Sequence, residues 1–135
     1  MLVAGQERLE LGLRFRVARA ALRLRGLERV AARVHHIYDA RLTTLEGRHY
    51  ALLALDLDDR CELGLAVSDD LADWEFLGLV SAGGNRNGVL FPQRVGGRAL
   101  RLDRPNRLGV SGDEIWLSAS DDLLHWQPVA PVAAG

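Results

Sequence analysis

One pattern in this chain occurs twice, and it restricts the fold more than any other feature. Ser68-Asp69-Asp70-Leu71, followed by Trp74, recurs 52 residues later as Ser120-Asp121-Asp122-Leu123, followed by Trp126. Gly47-Arg48 likewise recurs 50 residues on as Gly97-Arg98. Between these marks lie short apolar runs with turn residues at their ends. In the first copy they read as strands over 40–45, 48–55, 61–67 and 73–80, and in the second over 88–95, 98–103, 114–118 and 125–129. A repeat of about fifty residues built from four short strands is the sequence signature of a propeller blade. Ser and Asp side chains hydrogen-bond their own turn backbone, and an indole packs between neighbouring sheets. The fold class is therefore all-β, with two four-stranded antiparallel blades over about 35–80 and 85–130.

Residues 1–34 precede the repeat. Leu9, Leu11, Leu13, Phe15 and Val17 alternate as in a strand, whereas Leu27, Val30, Ala31 and Val34 fit a helix. The segment reads as the N-terminal remnant of a preceding blade, part helical, with a late strand over 13–19. It carries eight Arg against three Glu, a surplus of +5, while residues 35–135 hold nine Arg against fifteen Asp or Glu, or −6. The basic segment reads either as a partner-binding surface or as a solvated face beside a packed one. The whole chain is near neutral, at −1, which gives no bulk attraction to nucleic acid or to a membrane. All its basic side chains are Arg, so no Lys chemistry is available. Cys61 is the single cysteine, which excludes an intrachain disulfide and fits a reducing cytoplasm. No signal pattern or membrane-length apolar run is present, so a cytoplasmic chain is expected.

Three positions offer chemistry. Asp39 and Arg41 stand two apart at the start of a strand-like run, so both are expected on one face at the mouth of a hairpin. A carboxylate beside a cation suits proton transfer, and it equally suits a surface ion pair. Arg86, in the loop Asn85-Arg86-Asn87, and Arg104, before Pro105, are placed at strand ends of the second copy. Two guanidiniums converging on one spot suit a phosphate or carboxylate, and the alternative is two surface arginines. The acidic turn Asp56-Leu57-Asp58-Asp59 lacks the glycine and distal Glu of a calcium loop, and no metal site is expected there.

Taken in order, several motifs combine. Tyr38-Asp39-Ala40-Arg41 is followed by Gly47-Arg48-His49-Tyr50 and the first Ser-Asp-Asp-Leu turn. Then come Asn85-Arg86-Asn87-Gly88-Val89-Leu90-Phe91-Pro92, Asp103-Arg104-Pro105 and the second such turn. Together they resemble glycoside hydrolase family 130, the β-mannoside phosphorylases and related β-mannosidases, over residues 35–129. The resemblance implies a partial five-bladed β-propeller and an inverting phosphorolysis, with β-1,4-mannosides as the substrate class. It implies that Asp39 is the proton donor, because family members commonly show Glu-Asp-Pro-Arg at Tyr38-Asp39-Ala40-Arg41. It places Arg86 and Arg104 on phosphate, and Arg41, Asn87 and Asp103 near the sugar. Asn87 stands where the family often has Asp, and Asp103 where it often has His. No cofactor is implied; inorganic phosphate is the co-substrate. Five blades need roughly 250 residues, so the chain reads as a truncated or incomplete copy. Its uncovered faces would then pair with missing blades or with another copy. Two other readings stand beside this one. One is a non-catalytic carbohydrate-binding or remnant propeller piece; the other is a partner-binding β protein acting through its basic N-terminal segment.

Overall fold

A computed structural model describes residues 23–106 and 113–134. The strand expected over 13–19 and the alternation over 9–17 lie outside the described residues. The described chain is all-β. Strands β1 (Arg23–Arg25), β2 (His36–Leu45), β3 (Arg48–Asp56), β4 (Cys61–Ser68) and β5 (Asp73–Leu79) form one sheet, ordered β1-β5-β4-β3-β2. Strands β6 (Asn85–Leu90), β7 (Ala99–Pro105), β8 (Glu114–Ser120) and β9 (Gln127–Ala134) form a second sheet in sequence order. All neighbours are antiparallel except β1, which lies parallel to β5. Among the described residues no helix is long and apolar enough to cross a membrane.

The repeated motifs make repeated contacts. Glu46 and Gly47 both have positive φ, 53° and 77°, and close the β2–β3 hairpin in two residues. Gly96 and Gly97 do the same, at 58° and 79°, between the bridged Val95 and Arg98. Two positive φ angles match the twist of the flanking strands. The Ser-Asp-Asp-Leu turns are close copies. Leu71 N–H donates to Ser68 Oγ at 2.9 Å, and Leu123 N–H to Ser120 Oγ at 2.9 Å. Asp73 N–H donates to Asp70 Oδ1 at 2.8 Å, as His125 N–H does to Asp122 Oδ1. Each indole N–H donates back into the turn, Trp74 to Leu71 O at 3.1 Å and Trp126 to Leu123 O at 2.8 Å. The two motif families also meet within each sheet. Arg48 pairs with Asp69 at 2.7 Å, and Arg98 with Asp121 at 3.5 Å.

The core lies on both faces of the first sheet. One face buries Leu53, Leu55, Trp74 and Phe76 under Leu27, Val30 and Val34. The other buries Leu52, Leu63 and Leu65 against Leu90, Ala99 and Leu123 of the second sheet. Strand β6 lies across this second face, and Gly88 lets it approach closely: a Cβ there would stand 2.7 Å from Leu63 Cδ1, so the tip of that side chain would have to shift.

Three expectations are corrected. The first sheet has five strands and not four, because β1 joins it parallel to β5. Residues 27–34 do not form an α-helix; they make two 3₁₀ turns, Leu27–Arg29 and Ala31–Arg33, broken at Val30 with φ −125°. Leu27, Val30 and Val34 are nonetheless the buried residues, so the apolar spacing marked the packed face but not the helix type. Asn85-Arg86-Asn87 is not a loop before a strand; it belongs to β6, which ends at Leu90 and not at Val95.

Candidate functional site

Each sheet carries a bulge at nearly the same place. In β2 the register passes from Tyr38↔Ala54 to Arg41↔Leu52, so Asp39 and Ala40 together oppose Leu53. In β6 it passes from Asn85↔Pro105 to Gly88↔Asp103, so Arg86 and Asn87 together oppose Arg104. Both are β-bulges in the first strand of the antiparallel part of their sheet, a device that re-aims side chains. Asp39 has φ 51°, a left-handed conformation that a residue with a Cβ adopts at a cost. Periodicity could not show this. A bulge interrupts alternation, so the strand read as beginning after it, and Asp39, Arg86 and Arg104 read as flanking residues when each lies inside a strand. The bulge also removes the premise that Asp39 and Arg41 share a face by their spacing.

Tyr38 anchors the first bulge. Its hydroxyl donates to Asp56 Oδ1 at 2.8 Å and stands 3.4 Å from Cys61 Sγ. Desolvation first, then these hydrogen bonds, push the phenol well above its ordinary range. Burial likewise pushes the Cys61 thiol up, opposed by its bond to Tyr38 and by the charge of Arg86. Thr43 Oγ1 donates to Leu90 O at 3.2 Å where β2 and β6 pack, and Asp39 and Arg86 lie four residues upstream on their respective strands. Asp39, Arg41, Arg86 and Arg104 are exposed, and Asn87 is half-buried. Arg104 stands 4.0 Å from Asp113. An exposed carboxyl on a strained bulge can deliver a proton, and exposed guanidiniums can hold an oxyanion.

Asp103 sits differently. It is buried, and its Oδ2 accepts from Arg101 Nε at 2.7 Å and from Ser118 Oγ at 3.1 Å. Arg101, also buried, donates to Val80 O at 2.6 Å and lies 4.5 Å from the centre of the Trp126 ring. Desolvation lowers the Arg101 pKa, opposed by Asp103. The sequence reading missed Arg101. Its signal was available as Arg-x-Asp, two residues apart on one face of a strand. This pair lines a crevice of about 300 Å³ between the second sheet and the segment Leu79–Ala82. Among the described residues no group of three or more His, Cys, Asp or Glu could hold a metal ion.

No family model matches the sequence. The 1,2-beta-oligomannan phosphorylase of Thermoanaerobacter sp. (strain X514) is 31% identical over 113 residues, covering 81% of this chain and 32% of that protein. The beta-1,2-mannobiose phosphorylase of Listeria innocua is 25% identical, covering 64% of this chain and 24% of its own. The beta-1,4-mannooligosaccharide phosphorylase of Ruminococcus albus is 29% identical, covering 66% and 27%. The solved structure of a Listeria innocua beta-1,2-mannobiose phosphorylase in complex with beta-1,2-mannobiose superimposes with TM-score 0.63 at 24% identity, over 67% of this chain and 26% of that one. The chain thus has the all-β fold of the mannoside phosphorylases and spans at most about a third of the length of the curated relatives it matches. It belongs with glycoside hydrolase family 130, on a partial chain, as its motifs implied.

Proposed function

We propose that this chain carries the acid and part of the phosphate site of an inverting β-mannoside phosphorylase, built on two blades of a five-bladed propeller. The observation that carries the reading is the pair of matched bulges, one holding Asp39 and the other holding Arg86 and Asn87 opposite Arg104. Asp39 donates its proton to the leaving glycosidic oxygen, directly or through a sugar hydroxyl. Phosphate, held by Arg86 and Arg104, attacks the anomeric carbon from the opposite face and forms mannose 1-phosphate with inversion. Phosphate takes the place of the base-activated water of an inverting hydrolase, so no second carboxylate is needed. The guanidiniums position the dianion and offset its charge. Arg41, Asn87 and Asp103 are assigned to the sugar side. Two of the three relatives named above act on β-1,2-linked mannosides and one on β-1,4-linked ones, so the linkage assay covers both.

The propeller reading draws support from equivalent faces. Leu63 and Leu65, by which the first sheet holds β6, correspond at the 52-residue offset to Ile115 and Leu117. Leu63 is 1% exposed and Ile115 38%. The second sheet thus presents the same kind of face for a further sheet to cover. Catalysis needs acid, anion and sugar held together, and two sheets supply few sugar contacts. The 135-residue chain is therefore expected to turn over little or no substrate by itself. The test incubates it with β-1,2- and β-1,4-mannobiose plus phosphate and assays mannose 1-phosphate; phosphate binding is titrated in parallel. Weak phosphate binding lost in Arg86→Ala and Arg104→Ala supports the anion site. Turnover that disappears in Asp39→Asn would show that the site is more complete than proposed and that the acid is right. Turnover indifferent to Asp39→Asn overturns the acid.

A further inference from the structure

We propose that the crevice between the second sheet and the segment Leu79–Ala82 binds a neutral sugar ring away from the Asp39 bulge, with Asp103, assigned above to the sugar side, in its floor. Its volume, about 300 Å³, is at the lower end for small-molecule sites and suits a ring-sized ligand. Its floor is the Arg101–Asp103 pair with Ser118, a set that cancels its own charge. A charged ligand gains little from a pair already joined at 2.7 Å, whereas a neutral ligand loses nothing there.

Two further observations point to hydroxyl groups on a ring. Asn85 lines the crevice, is 4% exposed, and its Oδ1 is buried without a donor. A buried acceptor left without a donor is costly, and a ligand hydroxyl supplies one. Trp116 and Trp126 also line the crevice, and both indole N–H groups are already used, by Glu114 Oε2 at 3.0 Å and Leu123 O at 2.8 Å. The Trp116 ring therefore offers apolar surface and no hydrogen bond, while one face of Trp126 is already covered by Arg101 at 4.5 Å. A pyranose matches both demands, with C–H groups for the Trp116 indole and hydroxyls for Asn85. The choice of a sugar over another neutral polyol rests on the proposed mannoside chemistry; the crevice geometry does not.

The experiment titrates the full chain with mannose and with β-mannobiose, following tryptophan emission and calorimetric heat. The expected result is saturable millimolar binding with a change in emission. Binding should weaken at least tenfold in Asn85→Leu and in Trp116→Ala, and stay within twofold of the parent in Val95→Ala, an exposed position outside the crevice. If Asn85→Leu fails to fold, as judged by circular dichroism, Trp116→Ala decides. No saturable binding, or binding indifferent to both crevice variants, overturns the proposal. Binding lost in Asp39→Asn but retained in the crevice variants also overturns it, and places the sugar at the bulge. Neither result touches the phosphate titration, which tests the anion site on its own.

Discussion

The two sheets share turns, hairpins and bulges, yet they differ in what covers them. In the first sheet all of β4, Cys61–Ser68, is buried, because Leu27, Val30 and Val34 close one face and the second sheet closes the other. Its equivalent β8, Glu114–Ser120, is buried only over its last three residues. Position by position, Ala51 and Leu53 of the first sheet correspond at the 50-residue offset to Arg101 and Asp103. The first sheet fills those places with apolar core and the second with an ion pair beside a crevice. One repeat unit can thus serve as a sealed scaffold or as an open, polar wall. The turn motif does not choose between them.

The comparison can be broken most directly at Leu63 and Ile115, which occupy equivalent positions. Leu63→Ala should cost about 2–5 kcal/mol by cavity formation, and Ile115→Ala less than about 1, since it is already 38% exposed. Equilibrium urea unfolding measures both, and equal costs would mean that the open face is covered in solution. Next in size is the buried ion pair. Asp103→Ala leaves Arg101 buried with the Val80 carbonyl and the Trp126 ring as its remaining partners, and should cost about 3 kcal/mol in the same assay. A negligible cost would show the pair to be solvated.

Ser68→Ala and Ser120→Ala test what the sheets share. Each removes the hydroxyl that accepts two backbone N–H groups, and each should cost about 1 kcal/mol. A clear difference between them would mean that the turns are not energetically equivalent. The smallest effect concerns acid. The backbone N–H groups of Asp73 and Ala72 hold the Asp70 carboxyl below its usual range, and those of His125 and Leu124, with the His125 ring, hold Asp122 lower still. A depressed carboxylate stabilises the fold above its unfolded pKa of about 3.9, and that contribution is lost as pH falls through the folded value. Asp122→Asn should therefore flatten the acid limb of stability below about pH 4 more than Asp70→Asn does. Unfolding free energies between about pH 5 and 2 read this out, and an unchanged slope in both variants would contradict the assignment.

Much of this molecule was legible in one dimension because its signals are local. A Ser-Asp-Asp-Leu turn satisfies its own backbone within three residues, and Glu46-Gly47 and Gly96-Gly97 need only their own φ angles. Asp39 and Arg86 were legible as motif residues. Their bulges were not, because an inserted residue erases the alternation by which a strand is read. Whether Leu63 is sealed while its counterpart Ile115 faces outward depends on which chain segment lies over it, and no property of either residue states that. The Arg101–Asp103 pair and its crevice likewise arise where Val80 of one sheet's margin meets the face of the other. Turn chemistry is set by neighbours in sequence. Burial, and the polar site made from it, is set by neighbours in space, and that was decided only when the two sheets packed.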